Sequence, residues 1–193
     1  MKYKIITIKD NKLNIMFGIV KNFINENLID DLKNEIKFNQ DKINVGGIEI
    51  LEERKTSWMS NSGHTYKYGS KIMKPYNFTP TIKKIQEITA SKYGVDYDSV
   101  LINYYKDGNI GMRYHSDAVY DEWHEDTIVI SFGSSRSIIF REIKNYDNKQ
   151  KILLENGDLL FMKEGCQKIY QHKVLKDKKI KNDRISLVFK KHI

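Results

Sequence analysis

His115 and Asp117 stand one serine apart in the stretch NYYKDGNIGMRYHSD. On an extended strand, residues i and i+2 project to the same side, so a single ion could meet both side chains. His172, in IYQHKV, is the candidate for a third ligand. Two histidines and a carboxylate on one face make the facial triad of non-haem Fe(II) chemistry, which leaves three positions open for a cosubstrate and oxygen. A polar surface turn can also contain a histidine and an aspartate, so the rest of the chain has to decide. The choice of ligands is narrow. There are five histidines, and His64, His124 and His192 remain once the triad is filled. His64 and His192 read as surface residues. The lone cysteine, Cys166, rules out an intramolecular disulfide and a cysteine zinc site, and it reads as a packing residue.

A second chemical signal lies twelve residues beyond His172, where Arg184 opens the run RISLVFKK. Ile185, Leu187 and Phe189 alternate there with Arg184, Ser186, Val188 and Lys190, so one side of the strand can enter a core while the other lines a cavity. A buried arginine is costly unless an anion meets it. A dicarboxylate such as 2-oxoglutarate would meet it with charge-assisted, bidentate hydrogen bonds. The plainer alternative is an exposed arginine at a strand start.

The elements that must position these residues are readable in outline. INENLIDDLKNEIKF reads as a helix, with Leu28, Leu32 and Ile36 on one face. FTPTIKKIQEITASKYG reads as a second, with Thr79 as cap, Pro80 at the first position and Gly94 at the end. After Gly94 the texture changes to short strands: SVLINYY, TIVISFG, RSIIFREI, KILLE, DLLFM and RISLVFKK. Helices followed by many strands predict an α+β fold, with helices supporting an antiparallel sandwich or barrel.

Length and composition agree with this. The chain of 193 residues suits one domain with a real core. No apolar run reaches the roughly 18 residues of a membrane span, and the first twenty residues lack the pattern of a secretory signal. The expectation is an intracellular monomer, in cytoplasm or nucleus, with no membrane contact. The net charge of +8 favours polyanionic partners, although lysine is also the default surface residue of so lysine-rich a sequence.

Taken together, four segments resemble the AlkB family of Fe(II)/2-oxoglutarate-dependent dioxygenases, in the family's order. GHTYKYGSK with PYNFTP is similar to the substrate lid. LINYYKDGNIGMRYHSD is similar to its Asn-x-Tyr, glycine turn and His-x-Asp. TIVISFGSSRSIIFR is similar to the strand, turn and arginine strand that follow. LLENGDLLFM, YQHKV and RISLVFK are similar to the Gly-Asp strand, second histidine and final arginine strand. The match runs from about Arg54 to Lys190.

The resemblance implies a double-stranded β-helix (jelly-roll) core over 95–193, a substrate lid over 54–80 and an N-terminal strand and helix support over 1–53. It implies that His115, Asp117 and His172 hold Fe(II), that Asn103 and Tyr105 hydrogen-bond 2-oxoglutarate, and that Arg184 pairs with its distal carboxylate. Ser186 and Lys190 would complete the cosubstrate site, and O2 would be the oxidant. The implied activity is oxidative demethylation of N-alkylated bases in single- or double-stranded DNA or RNA, with lid aromatics Trp58, Tyr66 and Tyr68 stacking on a base or packing the lid. Two other readings stand beside it: a protein-directed oxygenase, and a nucleic-acid-binding module with a degenerate iron site. Three positions depart from the family pattern. Lys190 replaces a second arginine that many members carry, Ser186 stands where many have asparagine, and Val119 stands where several demethylases have an acidic residue. Arg136 and Arg141 flank the strand SIIF, and either a structural or a substrate-facing role fits Arg136.

Overall fold

The computed structural model describes residues 5–9, 15–118 and 122–193. In chain order the first half contains β1 (Ile5–Lys9), β2 (Ile15–Val20), α1 (Ile29–Glu35), β3 (Lys42–Val45), β4 (Ile48–Leu51), β5 (Lys55–Ser60), β6 (Tyr66–Tyr68), β7 (Lys71–Met73) and α2 (Pro80–Tyr93). The second contains β8 (Ser99–Tyr105), β9 (Met112–His115), β10 (Thr127–Gly133), β11 (Arg136–Glu142), β12 (Lys149–Leu154), β13 (Leu159–Met162), α3 (Cys166–Ile169), β14 (Tyr170–Val174) and β15 (Arg184–Lys190). The major sheet has the order β1-β2-β13-β10-β15-β8-β5, the minor sheet β12-β11-β14-β9, and the pairs β3-β4 and β6-β7 are separate hairpins. The pairings are antiparallel, and the two sheets pack face to face in the manner of a jelly roll.

Two apolar layers hold this arrangement. Between the sheets, Phe17, Val129 and Leu160 of the major sheet meet Ile138, Phe140 and Leu154 of the minor one. Phe17 and Phe140 stack with ring centroids 3.9 Å apart. On the outer face of the major sheet, Ile185, Leu187 and Phe189 pack with Leu32 of α1 and Ile82 and Ile85 of α2. The alternation expected of β15 is therefore realised, with its other face left for the cavity.

α2 begins and ends where its signals lie. The Thr79 hydroxyl accepts from the backbone N–H of Ile82, Pro80 occupies the first turn, and Gly94 takes a left-handed conformation at φ 80°. The support expected from N-terminal helices is corrected in extent. The N-terminal segment contributes the hairpin β1-β2 to the edge of the major sheet, and α1 is only seven residues long. Its predicted first turns are lost because the Ile24 N–H donates to the Gly157 carbonyl at 3.0 Å. Its predicted end is lost because Ile36 is extended and Asn39 bridges Thr56. Tertiary hydrogen bonds here outweigh a good helical pattern. Among the described residues, no helix is long and apolar enough to cross a membrane.

The Gly157 contact also sets a test. Its φ is +75°, and an added Cβ would lie 1.8 Å from the Ile24 carbonyl oxygen. Gly157→Ala is expected to destabilise the fold by more than about 1 kcal/mol, read as a lower midpoint in denaturant unfolding with unchanged slope.

Candidate metal and cosubstrate site

Pairing in the minor sheet brings the two distant histidines together. β9 and β14 are antiparallel neighbours, and His115 lies directly opposite His172. A bulge between His172 and Val174 lets both Met112 and His115 reach the same cavity. Asp117 comes to the site differently from the expectation. It lies beyond the end of β9, so strand alternation does not aim it. Its backbone N–H donates to Gln167 Oε1 at 2.9 Å, and Gln167 Nε2 lies 3.5 Å from Asp117 Oδ2. Gln167 is buried on α3 and acts as a clamp on the carboxylate.

The resulting geometry suits one ion. Asp117 Oδ1 is 3.6 Å from His115 Nε2 and 4.0 Å from His172 Nε2, and one potential ligand atom from each residue falls within 4.8 Å of the others. Two atoms each about 2 Å from a shared metal stand at most about 4 Å apart, so the cluster needs little adjustment. His115 Nδ1 sits 2.9 Å from the Arg113 carbonyl. A carbonyl only accepts, so Nδ1 carries the proton and Nε2 keeps its lone pair for a metal. Burial, the neighbouring His115 and Lys190 push the His172 imidazole down to about 4 against the pull of Asp117, which keeps it neutral and ligand-ready near neutral pH. Burial opposes ionisation of Asp117, yet His115, His172 and Lys190 together hold its carboxyl far below the usual range. His124 is exposed, outside this cluster, with its backbone bonded to Lys191.

The facing wall is built by β8 and β15. Arg184 pairs with Tyr105 and Ser186 with Asn103 across these strands, and all four residues line the cavity with Arg54 and Lys190. Arg184 is 1 % exposed. Its Nε donates to Ser131 Oγ at 2.8 Å, its guanidinium lies 5.2 Å from the Tyr105 ring centroid, and Nη1 is buried with no hydrogen-bond partner. Burial lowers its pKa to about 10, and it remains a cation at neutral pH. A buried guanidinium donor without a partner, on a residue that lines a cavity, fits an anionic cosubstrate. Lys190 is buried too, with its ammonium 5.6 Å from the Tyr66 ring, and burial lowers its pKa while Asp117 raises it. Among the lining residues Asp117 is the one carboxylate, against the buried cations Arg184 and Lys190, while Arg54 is already paired with Glu52, so the cavity favours an anion.

The remaining singled-out residues sort by position. Tyr66 lines the cavity. Trp58, 1 % exposed, stacks behind it at 4.6 Å and donates to the His64 carbonyl. Tyr68 closes β6 opposite Lys71. Val119 lies outside the described residues. His64 and His192, expected at the surface, stack on each other at 3.4 Å beside Trp123. Arg136 is structural: its guanidinium donates to the carbonyls of Asp107, Ile110 and Leu175 and so closes the loop before β9. Gln167, Ser131 and Arg54 are the polar contributors that sequence reasoning missed. Their partners lie tens of residues away, so no local motif marks them.

Comparison with known proteins agrees with this geometry. The model of the 2OG-Fe(II) oxygenase superfamily matches residues 13–190. The uncharacterized protein R406 of Acanthamoeba polyphaga mimivirus is 34% identical over 181 residues, covering 90% of this chain and 92% of its own. The human DNA oxidative demethylase ALKBH2 is 27% identical over 147 residues, covering 72% of this chain and 56% of the human protein, so this chain spans little more than half the length of that relative. The structure of OsALKBH1 shares the fold, with TM-score 0.63 and 14% identity over 98% of this chain and 100% of the other. The chain belongs to the 2OG-Fe(II) oxygenase superfamily. Within it the chain is an AlkB-like, Fe(II)/2-oxoglutarate-dependent dioxygenase, with Fe(II), 2-oxoglutarate and O2 as its cofactor, cosubstrate and oxidant.

Cys166 stands 1 % exposed beside this site, and burial with the nearby Asp117 charge pushes its thiol up to about 12. Thiolate is the reactive form, so native protein at pH 8 is expected to resist a maleimide that labels the urea-unfolded chain within minutes.

Proposed function

We propose that His115, Asp117 and His172 hold Fe(II), that Asn103, Tyr105, Arg184, Ser186 and Lys190 bind 2-oxoglutarate, and that the substrate is an N-alkylated base in DNA or RNA. The observation that carries the ligand assignment is the direct pairing of His115 with His172 and the Asp117 carboxylate oxygen within 4.0 Å of both. When bound, iron with 2-oxoglutarate and O2 supplies C–H hydroxylation, coupled to conversion of 2-oxoglutarate to succinate and CO2. The protein's part is placement. Arg184 anchors the distal carboxylate through its spare Nη1, with Ser131 fixing the guanidinium plane. Lys190 supplies a second cation at the opposite end of the same strand face. Lys190 lacks the fork of an arginine, so its contact is that of a point charge. Tyr66, held by Trp58, walls the cavity and limits water. Hydroxylation of an N-methyl group gives a hemiaminal, which releases formaldehyde and the unmodified base.

Two things support a nucleic-acid substrate. One is the relative named a DNA oxidative demethylase. The other is the outer face of the minor sheet. Arg141 lies between the rings of Tyr114 and Tyr146 at 3.8 and 4.1 Å, Lys173 sits 4.6 Å over Tyr114, and Lys149 and Lys151 lie on the neighbouring strand. Among the described residues, none of these four cations forms an ion pair with a carboxylate. Tyr114 adjoins His115 on β9, so this cationic and aromatic face runs to the edge of the site.

Formaldehyde release from an N-methylated oligonucleotide tests the substrate, and its absence across methylated DNA and RNA with intact 2-oxoglutarate turnover would overturn it. His172→Ala and Asp117→Ala are each expected to abolish succinate formation. Arg184→Ala is expected to raise the 2-oxoglutarate needed for half-saturation by about tenfold or more. Gln167→Ala, which frees the Asp117 carboxylate, is expected to weaken Mn(II) binding by about 10–100-fold in a titration followed by electron spin resonance.

A further inference from the structure

Asn103 sits in the middle of β8, 5 % exposed and lining the cavity. The two ends of a carboxamide have nearly the same shape, so a free Asn103 could offer a cosubstrate either its oxygen or its NH2. Only the NH2 suits a carboxylate or keto oxygen. Arg54 removes the ambiguity. Its Nε donates to Asn103 Oδ1 at 2.8 Å, and a guanidinium carries donors only, so the atom that faces it must be the amide oxygen. The NH2 is then turned away, and among the described residues it makes no hydrogen bond.

Arg54 is itself held on the far side. Its Nη2 lies 3.0 Å from Glu52 Oε1, and Glu52 Oε2 accepts from Lys71 Nζ at 2.6 Å. Lys71 also donates to Asp41 Oδ2 at 2.9 Å and Thr56 Oγ1 at 3.2 Å. Glu52 and Arg54 are 3 % and 7 % exposed. Two carboxylates thus balance two cations as ion pairs, although Glu52 Oε1 accepts no hydrogen bond, whereas Arg184 forms no ion pair with a carboxylate among the described residues and its Nη1 lacks a hydrogen-bond partner. The charge of Arg54 is already answered inside the protein, which leaves orientation rather than anion capture as its contribution. Lys71 opens β7, so the network also ties the hairpin β6-β7 to the cosubstrate wall.

We propose that Arg54 is a positioning residue for 2-oxoglutarate, acting through Asn103 by fixing its amide with the NH2 toward the cavity. This rests on the reading that Asn103 contacts the cosubstrate. The test is anaerobic titration of the Fe(II)-loaded protein with 2-oxoglutarate, following the visible band of the chelate, with each variant's unfolding midpoint recorded. Arg54→Met is expected to weaken 2-oxoglutarate binding about tenfold in the native background and less than about twofold in an Asn103→Ala background. Asn103→Asp, which still accepts from Arg54 but has no NH2 to offer, is expected to lose as much affinity as Asn103→Ala. This second variant keeps the proposal testable if Arg54→Met does not fold. An equal Arg54→Met penalty in both backgrounds would mean direct contact or general scaffolding and would overturn the proposal, as would native affinity in Arg54→Met or in Asn103→Asp. Native affinity in Asn103→Ala, with affinity lost in Arg184→Ala, would show instead that Asn103 is no cosubstrate ligand and would remove the underlying reading.

Discussion

β15 must present two chemically opposite faces in seven residues, and most of the structure follows from that requirement. Ile185, Leu187 and Phe189 enter the apolar layer beneath the helices, while Arg184, Ser186, Val188 and Lys190 line the cavity. The alternation works only in one register, because a slip of a single residue would put two cations into the helix-facing core. The strand is secured on both edges, by β10 with six residue pairs and by β8 with seven. The same pairings that fix the register also place Asn103 and Tyr105 beside Ser186 and Arg184. Core packing and the proposed cosubstrate placement are therefore one constraint.

The cavity between the sheets is an electrostatic compromise. Fully buried cations are expensive, and the fold tolerates Arg184 through the Ser131 hydroxyl and through Tyr105, which offers its side chain and its aromatic face. Such an arrangement is incomplete without an anion. Arg54 shows the opposite solution, with its charge closed by Glu52 inside the protein. The contrast between a charge-paired and an unpaired arginine on one wall separates scaffolding from ligand capture more sharply than residue type alone.

Much of this was legible from residues. The alternation of RISLVFKK, the cap, proline and terminal glycine around α2, and the shortage of histidines are all local signals, and local signals survive in sequence. What could not be read depends on long-range partners. The helical pattern from Ile24 to Phe38 shortened because Gly157 takes the Ile24 N–H and Thr56 draws the following Asn39 into a bridge. The expectation that alternation would aim Asp117 failed because β9 stops at His115, and the Asp117 backbone is held by Gln167 fifty residues away. Lid aromatics also divided in a way that composition cannot show, with Tyr66 at the cavity and Trp58 behind it.

β9 is the edge strand of the minor sheet, joined to β14 by two registered pairs on either side of a bulge. With its terminal histidine and the following aspartate on the same ion as a histidine of β14, as proposed, the metal becomes a rivet across the weakest seam of the sandwich. Loss of iron would then cost more than a reactive centre. It would free the sheet's last strand and the outward-facing Tyr114 with it, so that metal supply sets the mechanical integrity of the surface next to the site as well as its chemistry.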